Sequence, residues 1–578
     1  MPDSPDNMTL TGIVLPKPLA DALRSCRPHF MAAAGFSLLV NLLFLAPPLY
    51  MLQVYDRVVS TGGKTTLLFI TLALAIALLT LTALDAIRSR LMVRASVRLE
   101  TQLAPLILNR MMSVGGAANG QAMRDLDTVR QTIASPVANA LFDAPFAPIF
   151  IIVAFLLHFW IGMLAIVSIA LLLVVAWRNQ LATRKNVEGA TLLLAQSHAS
   201  QQAASVQAQT VRALGMTGAM VARQISLRSN GLGKLVASQF EGSRFAAGSR
   251  FLRMFVQSAA LGLGALLAIA GYISSGAIIA ASILLGRALQ PVEVLIGGWS
   301  SLSSARAALA RLADVLSIPD DMTRIRTSLP KPEGQLRVEG VSVRRSDGIA
   351  ILAGISFAAS PGEITGVIGP SGSGKSTLAK VIAGAIVPEV GTVRIDGAQR
   401  QDWPSDELGR QFGYLPQEPS LFEGSIKDNV SRFARWSPGQ AEDIDAKAVT
   451  AAKLAGVHEL ILQLPQGYDT RLGPGGTGLS AGQSQRIALA RAFYGDPAIL
   501  VLDEPNAFLD AEGEAALIEA MKTARDRKAT ILIVAHRRSV LEMADHLLVL
   551  EAGRPKMFGP SKEVVARLSA PRQEGRAS

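Results

Sequence analysis

The chain has 578 residues, half of them hydrophobic and only 17% charged, with a formal net charge of +11. That balance argues against an ordinary soluble multidomain protein and for a chain that is partly membrane-embedded. The single cysteine, Cys26, excludes an intramolecular disulfide and any multi-cysteine metal site.

The charge is unevenly placed: residues 1–320 carry 25 Lys+Arg against 14 Asp+Glu, and residues 321–578 carry 31 of each. A basic excess among long apolar segments reads as positive-inside topology, so no nucleic-acid partner is expected. Residues 1–30 mix Lys17, Arg24 and Arg27 with Asp3, Asp6 and Asp21 and lack a compact apolar run before a small-residue cleavage site. They read as a cytoplasmic leader and not as a removed signal peptide.

Residues 31–55 and 65–84 are free of charge, and each run is long enough to cross a hydrocarbon core of about 30 Å as a helix. Pro47 and Pro48 predict a kink in the first. A charge-free run over 144–177 exceeds one crossing and splits at His158-Phe159-Trp160. Aromatic rings collect at the membrane interface, so His158 reads as an interfacial anchor and not as a metal or proton-relay ligand. The run over 254–286 is broken by Gly271-Tyr272-Ile273-Ser274-Ser275-Gly276, which brings the total to six helices in a domain spanning 31–318.

Loop charge orients these helices. Residues 87–140 carry seven arginines and 178–250 carry nine Lys+Arg, whereas the loops on the other side hold only Arg57 and Lys64. Both termini are therefore expected in the cytoplasm. The two basic loops are too long for plain turns and read as projecting helices. Their tips, Met123-Arg124-Asp125-Leu126-Asp127 and Arg212-Ala213-Leu214-Gly215-Met216, mix charge with exposed apolar side chains, as a docking element would. Arg287 and Glu293 lie in the last segment, six residues apart and so on different faces. Ionisable groups at membrane depth are functional candidates, and Arg287 is expected to face the interior.

Residues 319–334, rich in proline, read as a linker. From 335 to 565, short β-rich runs alternate with helical segments, which predicts a parallel sheet covered by helices, with a tail over 566–578. Gly369-Pro370-Ser371-Gly372-Ser373-Gly374-Lys375-Ser376, followed by Thr377, comes after an apolar strand and opens a helical pattern. That context belongs to a phosphate-binding loop, in which backbone N–H groups converge on phosphate oxygens. Lys375 is placed for the β- and γ-phosphates and the Ser376 hydroxyl for Mg²⁺. A chance glycine-rich turn would not supply the whole motif in this setting.

The run Ala498-Ile499-Leu500-Val501-Leu502 is apolar on both faces, as a buried parallel strand is, and ends on Asp503 and Glu504. Asp503 suits Mg²⁺, and Glu504 suits polarising an attacking water. Ser480 and Gln483 in Leu479-Ser480-Ala481-Gly482-Gln483 have the spacing of a capping box, and that small N-terminus can receive a γ-phosphate.

Leu479 to Gln483, standing between a phosphate loop and its acidic strand, resembles the signature of ATP-binding-cassette (ABC) ATPases. Gln417 in Tyr414-Leu415-Pro416-Gln417 resembles the Q-loop, which implies a role in catalysis and as a ligand of the metal. Ala507-Phe508-Leu509-Asp510 resembles the D-loop, and His536 the switch histidine. The resemblance implies an exporter fold: a six-helix membrane domain followed by an α/β nucleotide-binding domain. It also implies ATP and Mg²⁺ as cofactors, with two cassettes of a homodimer sandwiching two ATPs between one phosphate loop and the partner's Ser480, Gly482, Gln483 and Asp510. Several stretches, among them His458 to Thr470 and Asp503-Glu504-Pro505-Asn506, are similar to the PrtD-like ATPases of type I secretion. That similarity implies export of unfolded polypeptide through the inner membrane, with a periplasmic adaptor, an outer-membrane channel and a secreted protein as partners. A lipid or small-molecule exporter shares these motifs, and so does a non-transporting ATP-gated membrane regulator, although the latter tends to have damaged catalytic residues. The short leader leaves no room for a cargo-trimming peptidase, so an uncleaved secretion signal is expected. Two positions depart from the family pattern: no aromatic stands near Arg345, where adenine is usually stacked, and Pro474 occupies the place of a common glutamate.

Overall fold

The computed structural model describes residues 9–10, 13–114, 119–317, 329–345, 347–437, 443–535 and 542–569. The chain divides into two units, 1–320 and 321–578.

In the first unit, β1 (Thr9–Leu10) and β2 (Ile13–Val14) form a short antiparallel pair. Helices α1 (Lys17–Leu43), α2 (Ala46–Gln53), α3 (Lys64–Val114), α4 (Asn119–Ile133), α5 (Pro136–Asp143) and α6 (Ala147–Leu157) follow. Then come α7 (Phe159–Val206), α8 (Ala208–Ala213), α9 (Thr217–Ile269), α10 (Ser275–Gly297) and α11 (Trp299–Ser317). Six spans are long and apolar enough to cross a membrane: Lys17–Val59, Lys64–Met112, Pro136–Leu157, Phe159–Ser205, Thr217–Ile269 and Ser275–Gly297. The chain is a membrane protein with six spanning helices, as the charge-free runs predict. Helices of 51, 48 and 53 residues in α3, α7 and α9 are more than twice the ~20 residues that one crossing needs.

Helix α1 starts well inside the stretch read as a leader. Leu15, Leu19, Ala22 and Cys26 are buried against Leu99, Leu103, Ile107, Leu126 and Leu312. Their spacing is that of one helical face, a signal that a search for charge-free runs passes over because Asp21 and Arg24 lie on the opposite side. The predicted kink is present: α1 ends at Leu43, and α2 restarts with proline in its first turn, where a missing N–H leaves no bond unmade. His158 separates α6 from α7 in an extended conformation, and its Nδ1 accepts from Trp160 N at 3.3 Å. Asp56 caps α10, accepting from Ser274 Oγ at 2.5 Å and from Gly276 N at 2.8 Å. A Cβ at Gly276 would lie 2.8 Å from both Asp56 Oδ1 and Leu52 Cα, so the approach requires glycine.

The tip at 123–127 differs from expectation. Asp125 is buried with Arg311 of α11 donating to both its oxygens at 2.8 and 2.7 Å, and Leu126 is buried in the apolar cluster that includes Leu19 and Leu103. Its apolar residue is thus committed inside the unit, whereas Leu214 of the second tip is 67% exposed.

The second unit holds β3 (Leu336–Arg344), β4 (Ala350–Ala359), β5 (Ile364–Ile368), β6 (Val390–Ile395), β7 (Ala398–Gln399), β8 (Phe412–Leu415), β9 (Gly424–Ser425) and β10 (Arg471–Leu472). After them come β11 (Ile499–Asp503), β12 (Thr530–Val534), β13 (His546–Glu551) and β14 (Arg554–Pro560). Its helices include α12 (Lys375–Ala383), α13 (Ser405–Arg410), α14 (Ile426–Val430), α15 (Ile444–Leu454), α16 (His458–Leu462), α17 (Ala481–Phe493) and α18 (Ala511–Asp526). The main sheet has the order β14-β13-β5-β12-β11-β8, parallel except for β14, and a second, antiparallel sheet runs β4-β3-β6-β7. All five residues of β11 and all five of β12 are buried. One face packs on α17 and α18 through Ile487, Phe493, Leu517 and Met521, and the other on α12 through Leu378 and Ile382. Burial on both faces is why these strands read as unbroken apolar runs.

Within the helical unit, Arg88 of α3 is 5% exposed. Its guanidinium donates to Asp85 Oδ1 at 2.6 Å, to Asp143 Oδ1 of α5 at 2.5 Å and to Ser37 Oγ of α1 at 2.9 Å. Asn41 Nδ2 completes the cluster on Asp143 at 2.9 Å. Arg88→Met strips two carboxylates of their cation and should cost about 3–5 kcal/mol, the usual result of breaking a buried pair. Thermal unfolding in detergent should show the loss, and adding Asp143→Asn should recover part of it. An unchanged Tm in the single variant would refute the network's structural role.

Candidate nucleotide site

The phosphate loop is held by the parallel ladder. β5 ends at Ile368 and α12 begins at Lys375, so residues 369–374 cross the carboxyl edge of the sheet. Gly372 and Gly374 have φ of +78° and +95°, values that favour glycine. A Cβ at Gly374 would lie 2.7 Å from Leu352 Cδ2 and 2.9 Å from Ile351 O, and one at Gly369 would lie 2.2 Å from Leu550 O. The loop is therefore a closely backed cradle that side chains at these two positions would fill. Pro370 and Ser371 are exposed at its rim, and Ser373 is buried with an unpartnered Oγ among the described residues. Lys375 Nζ curls back to donate to Gly369 O and Pro370 O at 2.9 Å each. Ser376 and Thr377 follow in the first turn of α12, both half-buried.

Asp503 ends β11 with 0% exposure. Its Oδ1 accepts from Ser376 Oγ at 3.2 Å, and the same hydroxyl lies 3.4 Å from Gln417 Oε1. One hydroxyl proton serves one acceptor at a time, so this cluster holds more oxygen acceptors than donors. Asp503 Oδ2 has no partner at all among the described residues. Burial pushes the Asp503 carboxyl up, further helped by Glu504, while Ser376, Lys380 and Lys375 oppose it. A hydroxyl, a carboxylate and an amide oxygen, with one buried oxygen left over, fit a hard divalent cation such as Mg²⁺.

Glu504 takes φ +51°, a sparsely populated region for a non-glycine residue. Its N–H extends the ladder by donating to Val534 O at 2.9 Å, and its carbonyl accepts from Ala507 N at 3.1 Å. This turn takes the chain off the strand immediately after the buried aspartate.

The predicted capping box is present. Ser480 Oγ accepts from Gln483 N at 3.2 Å, and Gln483 Oε1 accepts from Ser480 N at 2.9 Å. A Cβ at Gly482 would lie 3.0 Å from Phe508 O. Asp510 caps α18 by accepting from Gly513 N at 2.9 Å and pairs with Arg486. The Gly513 N–H, followed by Arg486, holds its carboxyl below the usual range. The side chains of Ser480, Gln483 and Asp510 thus bond within their own neighbourhood, and among the described residues none bonds to the phosphate loop.

Sequence reasoning missed Gln485, a fully buried side chain of α17 that donates to Pro505 O at 3.1 Å and ties the signature helix to the segment after Glu504. A lone glutamine on an apolar helix face gives no pattern to detect. His536 lies outside the described residues. Arg345 is tied to Asp347, with Nε donating to Oδ2 at 2.9 Å, and Ile349 beside it is 58% exposed. Pro474 opens the short turn Pro474–Gly476.

The family model described as ABC transporter matches residues 352–507. The Type I secretion system ATP-binding protein PrsD of Rhizobium meliloti is 40% identical over 567 residues, covering 96% of this chain and 95% of that protein. The Toxin RTX-I translocation ATP-binding protein of Actinobacillus pleuropneumoniae is 30% identical, over 93% of this chain and 77% of its own length. The Alpha-hemolysin translocation ATP-binding protein HlyB of Escherichia coli O157:H7 is 30% identical, over 92% and 76%. A solved bacterial Atm1-family ABC exporter with ATP bound shares the fold, with a TM-score of 0.81 and 22% identity over 94% of this chain and 97% of that one. Identity sustained across both the membrane helices and the cassette shows that this chain, an ATP-binding ABC ATPase, belongs to the ATP-binding proteins of type I secretion systems.

Proposed function

We propose that this chain is the inner-membrane permease and ATPase of a type I secretion system, exporting unfolded polypeptide at the expense of ATP. The observation that carries the ATPase part is the meeting of Ser376, Gln417 and Asp503 beside the loop cradle. The export part is supported by the kinship to protein-translocating relatives. Positive-inside loop charge supports placing both termini in the cytoplasm.

In this reading the backbone of residues 369–376, with Lys375, holds the phosphates of ATP, and Thr377 supports them from the first turn of α12. Ser376, Asp503 and Gln417 would hold Mg²⁺, which when bound neutralises charge on the phosphate oxygens. Glu504 accepts a proton from the attacking water as the terminal P–O bond breaks, yielding ADP and phosphate. His536 steadies the departing phosphate. Ser480, Gly482, Gln483 and Asp510 complete the site of a second copy, so the working unit is a homodimer. That division of labour agrees with the separate hydrogen bonding of the signature residues within one chain. A periplasmic adaptor and an outer-membrane channel would carry the cargo onward.

Glu504→Gln should retain ATP binding and lose at least about 10²-fold in turnover, the scale of a positioned proton acceptor. Lys375→Ala should weaken nucleotide binding itself. Normal turnover in the Glu504 variant would remove it from the chemistry.

The homodimer makes a separate prediction. Lys375→Ala and Ser480→Arg homodimers should both be inactive, yet mixing the two subunits creates dimers with one intact composite site. Steady-state ATPase should rise on mixing and should not rise when both substitutions sit in the same subunit. Export itself is tested by reconstitution with the adaptor and channel. ATP-dependent passage of an unfolded protein supports the reading, whereas passage of lipid alone contradicts it.

A further inference from the structure

A cavity of about 630 Å³ lies between α9 and α10, and six of its eleven lining residues are polar: Arg250, Arg253, Gln257, Arg287, Gln290 and Glu293. Both helices are membrane spans, joined by the short turn after Ile269. At about 1.5 Å of rise per residue, Arg287 sits ~18 Å from that turn, while Arg253 and Glu293 sit ~24–27 Å from it. The cavity therefore occupies the half of the span away from the turn, beginning near mid-depth of a ~30 Å core.

The charges in it do not balance. Arg253 Nε lies 2.5 Å from Glu293 Oε2, which uses the one carboxylate. Arg287 has only neutral partners: it donates to Gln290 Oε1 at 3.0 Å and stacks 3.8 Å over the Phe44 ring. Among the described residues neither Arg287 nor Arg250 meets a carboxylate. An unpaired cation at the depth of Arg287 is costly and persists where it faces water or an anion, whereas Arg250, about 28 Å from the turn, is exposed at the far end of the same cavity. Arg287 is held by Gln290 and Phe44, and so is not extended toward lipid headgroups. The wall is also shaped for access, since a Cβ at Gly286 would lie 2.1 Å from Gln257 Nε2. Glycine there lets the amide reach across the cavity.

We propose that this cavity binds the carboxylates of an acidic stretch of polypeptide in transit, with Arg250 and Arg287 as the charge partners. Guanidinium groups pair with carboxylates in a planar, charge-assisted geometry. Gln257 and Gln290 add amide donors and acceptors that match an extended backbone, a service that a lipid headgroup does not need. The proposal rests on the export reading and deepens it by naming the chemistry that the path selects.

The test uses the full chain in phosphatidylcholine vesicles and a fluorescent unstructured peptide with a run of glutamates, beside its glutamine counterpart. In the Arg250→Gln/Arg287→Gln variant, with folding checked by thermal unfolding, affinity for the glutamate peptide should fall about tenfold or more. Affinity for the glutamine peptide should hold, and Arg250→Lys/Arg287→Lys, which keeps the charge but loses the planar pairing, should bind the glutamate peptide more tightly than the double Gln variant and less tightly than the wild type. Added salt should weaken the wild-type interaction with the glutamate peptide. Equal loss for both peptides, or no loss for either, overturns the proposal. A charge effect seen only when phosphatidylglycerol is added assigns the cavity to lipid headgroups and overturns it as well. If the wild type binds the glutamine peptide as well as the glutamate one, export stands and the cavity assignment falls. If it binds neither peptide while hydrolysing ATP, the cavity assignment falls, whereas failure of the reconstituted system to pass an unfolded protein is the separate result that removes the export reading and the proposal with it.

Discussion

Backbone N–H and C=O groups removed from water must find partners, and both units of this protein answer that requirement first. In the first, the hydrocarbon layer leaves the helix as the open-ended solution, because each helix pairs its own backbone. In the second, the central strands are buried on both faces and pair through a parallel ladder that runs from β8 across to β13. The segments proposed to carry the chemistry lie at the ends of these elements. The phosphate loop follows the last residue of β5, the acidic pair sits at the end of β11, and the signature segment opens α17.

The same requirement separates two adjacent acids by environment. Asp503 is the last paired residue of a strand with no exposed position, so its carboxylate is sunk against Ser376 and its Oδ2 is left over. One residue later, Glu504 leaves the strand through a left-handed turn while its N–H still bonds β12. A one-residue step thus separates a fully buried carboxylate with a spare oxygen from a half-buried one. Gln485, fixed to Pro505 O, braces that turn from the signature helix.

Charges inside the helical unit fall into two kinds. Arg88, Asp85 and Asp143, with Ser37 and Asn41, join α3, α5 and α1, as Arg311 with Asp125 joins α11 and α4. Such clusters specify packing, and each loses its value if one member is removed. Arg287 and Arg250 are of the other kind, placed at a cavity with no carboxylate of their own. Arginines in the same unit therefore differ in role because of what faces them and not because of what they are.

Much was legible in the amino-acid sequence. Six helices follow from charge-free runs measured against the thickness of a bilayer, and the break at His158 follows from run length. The Ser480–Gln483 capping box was readable because its partners stand three residues apart, so local geometry alone brings them together. The packed start of α1 was written in the spacing of Leu15, Leu19, Ala22 and Cys26, although charges on the other face hid it. The glycine positions of the loop were also readable locally, and Gly372 and Gly374 do take left-handed backbone there. Tertiary structure alone decided which distant groups meet. Ser376 reaches Asp503 across 127 residues and Gln417 across 41. Those meetings depend on the register of β8, β11, β12 and β5, which no short window of sequence contains. Likewise, Asp125 is buried and pairs with Arg311, 186 residues away on another helix, because a buried carboxylate must find a cation.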